Sequence, residues 1–361
     1  MFSSQDKKYM AKALALASRA RGKTSPNPMV GCVIVKHNKI IGQGFHHVAG
    51  LPHAEINALN EAGNDAHDAT MFVTLEPCCH YGKTPPCVEK IIKAKISKVI
   101  ISIYDPNPVV SGKGIKKLQE AGIIVEKGLL QDMASKLNEV YIKYITTQMP
   151  FVLIKAGMSM DGKIQGQKIQ DRWITGEKSR YLVHKMRGMY DAIMVGKQTV
   201  LDDNPYLTCR LKGGRDPYRV IVDSTMEIPI ESNVFASPQM VIIATTTNAS
   251  SDRIDVLKRL GARVIITQPD KDGRVDILEL MKQLGQMEIT SVLIEGGAHL
   301  NASALSSGVV DKMALFISSQ IFGKKDYLSV VEGLDTPIRL KDICMKRVGE
   351  DVLIEGFVVS P

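Results

Sequence analysis

His53, Glu55, Cys78 and Cys87 are the residues whose types and spacing could do chemistry. An imidazole and two thiols are ligands that zinc prefers in a tetrahedron, and a catalytic site leaves the fourth position to water. His53-Ala54-Glu55 places a carboxylate two residues from the imidazole. A carboxylate of pKa about 4.3 faces bulk water at about 15.7, a gap of roughly 15 kcal/mol. Water on zinc titrates near 7, which cuts the gap to roughly 4 kcal/mol. Glu55 could then take that proton, leaving hydroxide to attack an amidine-like ring carbon. It could hand the proton on to the ring nitrogen and the departing ammonia. Cys79 is a competing thiol that the spacing does not exclude, and His80 could also ligate. Cys78 is favoured because it directly follows Pro77, which ends a strand.

A second set of segments lies in the other half of the chain. Lys155-Ala156-Gly157-Met158-Ser159-Met160-Asp161-Gly162-Lys163 leaves a strand through small residues. Val195-Gly196-Lys197-Gln198-Thr199-Val200 and Ile294-Glu295-Gly296-Gly297-Ala298-His299-Leu300 each read as strand, Gly turn and helix start. A Gly turn opening a helix offers free N–H groups and a positive dipole end to phosphate. None of the three is the Gly-x-Gly-x-x-Gly dinucleotide fingerprint.

The elements that must position these groups can be read from periodicity. Residues 5–20 have helical spacing, with Met10, Leu14 and Ala17 on one face. Strands follow at 30–35 and 40–44. Pro52 opens a helix from 53 through 59, with His53 and Glu55 in its first turn. A strand at 71–75 runs into Cys78, and a helix at 87–95 starts on Cys87. Strand 98–104, helix 114–121 and strand 123–126 complete a sandwich over a largely parallel sheet. Residues 138–148 read as a last helix or connector. Strands at 151–156, 191–195, 219–223, 240–244, 263–266, 290–294 and 311–318 alternate with helical stretches such as 252–260 and 274–284. The expected domains are therefore 1–147 and 148–361, both α/β.

Composition supports two cores. The chain has 361 residues, 44% hydrophobic and 23% charged, which excludes disorder and small disulfide-stapled scaffolds. No apolar run reaches the roughly 18 residues of a membrane helix. The N-terminus has no apolar signal core, so the expected location is cytoplasmic. Residues 1–147 hold 19 Lys/Arg against 12 Asp/Glu, while 148–361 hold 27 against 26. The basic first half suits an anionic partner, a phosphorylated small molecule or nucleic acid.

His-Ala-Glu, then Thr74-Leu75-Glu76-Pro77-Cys78, then His80-Tyr81-Gly82-Lys83-Thr84-Pro85-Pro86-Cys87 resembles the deaminase half of the bifunctional riboflavin-biosynthesis deaminase/reductases. The eight-residue gap between the thiols differs from the two-residue gap of cytidine and tRNA-adenosine deaminases. Pro26-Asn27-Pro28-Met29-Val30-Gly31 resembles the family's substrate loop. The resemblance implies a cytidine-deaminase-like α/β/α sandwich and a dihydrofolate-reductase-like α/β domain. It implies Zn2+ and NADPH as cofactors and 2,5-diamino-6-ribosylamino-4(3H)-pyrimidinone 5′-phosphate as substrate. The 2-amino group would be replaced by oxygen, and the ribosyl group then reduced to ribityl. Asn27 would bond the ring and Lys83 the phosphate.

Trp173-Ile174-Thr175, Asp203-Asn204-Pro205, Leu207-Thr208-Cys209-Arg210 and Asp223-Ser224 also resemble that family's reductase half. By position, NADPH would meet Ala156, Trp173, Thr199, Asp203, Ser224 and the run Gly297, Ala298, His299, Leu300 and Asn301. Substrate would meet Asp171, Arg187, Leu207, Arg210 and Glu295. Asp171 stands where the family commonly has Ser, and Cys79 where Ser is frequent. Homo-oligomers, dimers or tetramers, are implied.

Two other classes compete. A nucleic-acid-editing deaminase would suit the basic first half, but aromatics are only 5%, few for base-stacking platforms. The near-neutral second half is also a poor partner for a polyanion. A purely structural zinc module has no use for Glu55 beside the metal. Neither nucleic acid nor membrane is expected as a partner.

Overall fold

Ser3 opens the first helix with a reciprocal cap: its hydroxyl accepts from the Asp6 N–H, and Asp6 accepts from the Ser3 N–H. In the computed structural model the described residues are 2–81, 85–164, 173–323 and 327–359. They fall into two units, Met1–Gln148 and Met149–Pro361.

The first unit runs α1 (Ser4–Ala17), β1 (Gly31–Lys36), β2 (Lys39–Phe45), α2 (Ala54–Ala62), β3 (Thr70–Leu75), α3 (Cys87–Lys93), β4 (Lys98–Ile103), α4 (Lys113–Glu120), β5 (Ile124–Lys127), α5 (Gln131–Leu137) and α6 (Glu139–Thr147). Its strands lie in the order β2-β1-β3-β4-β5. Met10, Leu14 and Ala17 on α1 are buried against it. The sheet is mixed rather than largely parallel: β1 pairs antiparallel with both β2 and β3, and only β3-β4 and β4-β5 are parallel. The short link between β1 and β2 dictates this, since adjacent strands joined by two residues can only form a hairpin.

Glycines let α2 lie directly on β2. A Cβ on Gly44 would stand 2.5 Å from the Ala54 carbonyl oxygen, and one on Gly42 2.3 Å from that of Ala58. His53 proves to be the N-cap of α2, one residue outside the helical turn that holds Glu55.

The second unit runs β6 (Phe151–Met158), α7 (Glu177–Met189), β7 (Ala192–Gly196), α8 (Lys197–Asp203), β8 (Tyr218–Val222), β9 (Val241–Thr246), α9 (Ser251–Leu260), β10 (Arg263–Thr267), α10 (Ile277–Gln286), β11 (Ser291–Ile294), α11 (Ala298–Ser306), β12 (Lys312–Ile317), β13 (Arg339–Val348) and β14 (Asp351–Val359). The nine strands order as β10-β9-β8-β7-β11-β6-β12-β14-β13. The first seven are parallel, and the β13/β14 hairpin closes the edge antiparallel.

Four elements go beyond the sequence reading: α5, α7, β13 and β14. Helix α5 precedes α6, and Asn138 separates them. Helix α7 buries only Ser179 and Met186, too few for an apolar stripe. Strand β13 is an exposed edge with no buried face to alternate against. No described helix is long and apolar enough to cross a membrane.

Candidate functional site

The start of α2, the turn after β3 and the start of α3 bring His53, Cys78 and Cys87 together, with their ligand atoms all within 4.8 Å of one another. His53 Nδ1 lies 3.5 Å from Cys78 Sγ and 3.3 Å from Cys87 Sγ. Metal bonds of about 2.3 Å to sulfur and 2.05 Å to nitrogen make a tetrahedral S···N edge of roughly 3.6 Å. The three donors therefore fit zinc.

The thiols are not equivalent. The Cys87 thiol and backbone N–H, the latter at 3.3 Å, both point to Cys78 Sγ. Those bonds, with His53, outweigh burial and hold Cys78 down to about 4, a thiolate. Cys87, donating and buried, is pushed up. Glu55 is 3% exposed and hydrogen-bonds Cys87. Burial first, then the Cys78 charge, lift its carboxyl to about 7. Cys79 packs instead in the hydrophobic core of the unit, and His80 is not among the three that converge.

Glu76 fixes the turn that delivers Cys78. Its buried carboxylate accepts from the N–H groups of Asp105, Gly112, Gly114 and Ile115 at 3.0–3.3 Å. Gly114 has no room for a Cβ, which would stand 2.2 Å from the Pro77 carbonyl oxygen. The strand end, the turn carrying Cys78 and α4 are thus tied at one point.

Asn27 sits in the turn before β1. Its Nδ2 donates to His46 Nε2 at 3.2 Å, and His46 Nδ1 donates to the Pro52 carbonyl at 3.3 Å. Burial holds the His46 pKa below its ordinary value, and the carbonyl facing Nδ1 and the amide facing Nε2 suit a ring protonated at Nδ1. Sequence reasoning missed His46, which carries no motif. Lys83 lies outside the described residues.

In the second unit, Glu295 follows β11. Its side chain is 6% exposed and meets Arg187 of α7 at 2.8 and 2.9 Å and Lys155 of β6 at 3.1 Å. Burial alone would raise this carboxyl, but the Lys155 and Arg187 charges and hydrogen bonds outweigh it and hold it near 2. Lys155 was not singled out in the sequence for this role. Arg210 is exposed, and its N–H donates to His184 Nδ1 at 3.5 Å. Leu207 is buried in a hydrophobic cluster, so only its backbone can face a ligand. Asp171 lies outside the described residues.

Ala156, Thr199, Ser224 and Gly297 lie in or just beyond β6, β7, β8 and β11 at the carboxyl edge of the parallel sheet, where open α/β sheets bind ligands. Gly196 and Gly297 are the N-caps of α8 and α11, and a Cβ on either would meet only open space. Asn301 is fully buried, donates to the Val330 carbonyl at 2.8 Å, and leaves Oδ1 without a partner. Open glycine turns at helix starts along the carboxyl edge of the sheet fit the phosphates of a dinucleotide. Ser224 spends its hydroxyl oxygen on the Val275 N–H at 3.2 Å. Ala298 and Leu300 are buried, while His299 and Asp203 are exposed. Trp173 is 53% exposed, with the Arg180 guanidinium 5.0 Å over its ring.

Residues 3–103 match the family described as cytidine and deoxycytidylate deaminase zinc-binding region, and residues 150–354 the RibD C-terminal domain. The riboflavin biosynthesis protein RibD of Actinobacillus pleuropneumoniae is 40% identical over 363 residues, 99% of this chain and 96% of that protein. RibD of Escherichia coli K12 is 37% identical over 369 residues, 97% of this chain and 98% of that one. Acinetobacter baumannii RibD, form 1, superposes with a TM-score of 0.88 at 36% identity, covering 98% and 99% of the two chains. A Thermotoga maritima diaminohydroxyphosphoribosylaminopyrimidine deaminase/5-amino-6-(5-phosphoribosylamino)uracil reductase does so with 0.83 at 36% identity and the same coverage. With likeness running along both units in one order, the chain belongs to the RibD family, the bifunctional deaminase/reductases of riboflavin biosynthesis.

Proposed function

We propose that residues 1–147 deaminate 2,5-diamino-6-ribosylamino-4(3H)-pyrimidinone 5′-phosphate and that residues 148–361 reduce the product to 5-amino-6-ribitylaminouracil 5′-phosphate. The observation that carries the first step is the convergence of His53, Cys78 and Cys87 beside a buried carboxylate. Zinc, when bound by those three, supplies a water acidified to near neutrality. Glu55 takes one proton from the attacking water and passes it to the ring nitrogen, then carries the proton of the newly added hydroxyl to the amino group, which leaves as ammonia while the C–O bond becomes a carbonyl. A carboxyl lifted toward neutral pH is well matched to exchanging protons in both directions. Asn27 holds the ring: one of its two Nδ2 hydrogens goes to His46, and its Oδ1 accepts from a ring amino or N–H group. Lys83 is assigned to the phosphate.

NADPH, when bound along Ala156, Trp173, Thr199, Asp203, Ser224 and Gly297 to Asn301, supplies the hydride that reduces C1′ of the opened ribose. Glu295 stays ionised and accepts from ribose hydroxyls, held rigidly by Lys155 and Arg187. The Arg187 fork is occupied by Glu295, so Arg210 carries the larger share of phosphate binding. Leu207 contributes backbone only, and Asp171 is assigned to the substrate side. We place the enzyme in the cytoplasm, as a homo-oligomer. The test is one assay of both steps on the pyrimidine phosphate, with ammonia and NADPH followed separately. Zinc-independent ammonia release, or NADPH oxidation before deamination, would overturn it.

A further inference from the structure

Asn138 lies between α5 and α6, beyond the residues that match the zinc-binding region. It is 1% exposed. Its Oδ1 accepts from the Met29 N–H at 2.8 Å, and its Nδ2 donates to the Met29 carbonyl at 3.0 Å. One side chain thus satisfies both backbone groups of Met29, as a neighbouring strand would, at a point before β1 begins. Two residues away, Asn27 is bonded to His46. Two residues the other way, the Gly31 N–H donates to Thr74 Oγ1 at 3.0 Å, and a Cβ on Gly31 would stand 2.0 Å from the Ala13 carbonyl oxygen. The chain is thus pressed against α1 at Gly31 and held at Met29 by Asn138. Helix α6 is itself anchored, because the Tyr141 hydroxyl donates to Asp105 Oδ1 at 2.8 Å.

We propose that Asn138 is a positioning residue for deamination, acting through Met29 to hold Asn27 where it meets the pyrimidine ring. This rests on the role given to Asn27 above. The α5–α6 segment is then part of the active-site scaffold, not a simple connector to the second unit.

The experiment is a double-mutant cycle on the full-length zinc enzyme, using ammonia release from the pyrimidine phosphate. Asn138→Asp keeps the size but puts an acceptor against the Met29 carbonyl. It is expected to lower kcat/KM for deamination 10- to 100-fold, with zinc content and NADPH oxidation on the deaminated substrate unchanged. In an Asn27→Ala background the same change is expected to cost under 2-fold. Multiplying losses, or no loss from Asn138→Asp alone, would overturn the proposal while sparing the role of Asn27. An Asn27→Ala enzyme with normal deamination would overturn that role and the proposal with it. If Asn138→Asp loses zinc, Asn138→Ser goes through the same cycle. Zinc loss there too would make Asn138 a prop of the metal centre and refute the inference.

Discussion

Arg187 grips Glu295 as a two-pronged fork, Nε to Oε1 at 2.8 Å and Nη2 to Oε2 at 2.9 Å. The pair joins a helix to the end of a central strand 108 positions later in the chain. Planar bidentate pairing fixes orientation as well as charge, which a lysine cannot do. With Lys155 at 3.1 Å on the other side, the carboxylate has no freedom to turn.

Arg187→Lys should therefore damage reduction without touching deamination. The charge survives and the fork does not. An error of about 1 Å at a reacting centre costs on the order of 10²-fold, and that is the expected fall in NADPH oxidation on the deaminated substrate. Ammonia release should match the parent enzyme. Equal loss in both assays would show that the fork serves general stability.

The same ion cluster makes a pH prediction. Glu295 has a folded pKa near 2, below the ordinary glutamate value of about 4.3. A depressed carboxyl contributes stability that is present above the unfolded pKa and is lost as pH falls through the folded one. The contribution, roughly 3 kcal/mol at 1.36 kcal/mol per unit, should fade between about pH 4.5 and 2. Urea unfolding of the second unit followed across that range should show the loss, and Glu295→Gln should show a shallower one. Parallel pH curves for the two proteins would refute the assignment.

Glu55→Gln is the sharpest test of the proton shuttle. The amide keeps the shape and loses the base. Zinc should stay near one per chain, since Glu55 is not among the converging donors. Ammonia release should fall by at least about 10²-fold, the usual worth of general acid–base catalysis, and reduction of the deaminated substrate should continue. A variant that still deaminates at the parental rate would take Glu55 out of the mechanism.

How much of this was legible in sequence depends on the distance over which a contact acts. His53 and Glu55 share one helix start, and Cys78 and Cys87 flank one loop, so short-range spacing points to all four. Asn138 and Met29 are 109 positions apart, and neither belongs to a local pattern. His46 carries no motif, and its bonds to Asn27 and Pro52 depend on how the turn before β1 and the loop before α2 fold together. Helix α7 carries Arg187 yet buries little, so no apolar period announced it. The alternation of helix and strand outlined both units, but pairing direction needed the hairpin constraint on β1 and β2.

The choice between Cys78 and Cys79 turns on the strand end. In the turn beyond β3, Cys78 points to His53 while Cys79 packs in the hydrophobic core. Cys87→Ser should lose zinc, because a hydroxyl in place of the thiol stays protonated and binds the ion weakly. Cys79→Ser should keep zinc and deamination, at a stability cost of about 1–3 kcal/mol for a polar group placed in an apolar core. Glu76→Gln should fall between them. The amide can accept at one oxygen only, so some of the four N–H groups now bonded to Glu76 lose their acceptor. The turn holding Cys78 then loosens, and zinc should leave faster to a chelator while the resting content stays near one per chain. Metal release measured with a colorimetric chelator ranks the three. An order in which Cys79→Ser releases zinc first would reverse the thiol assignment.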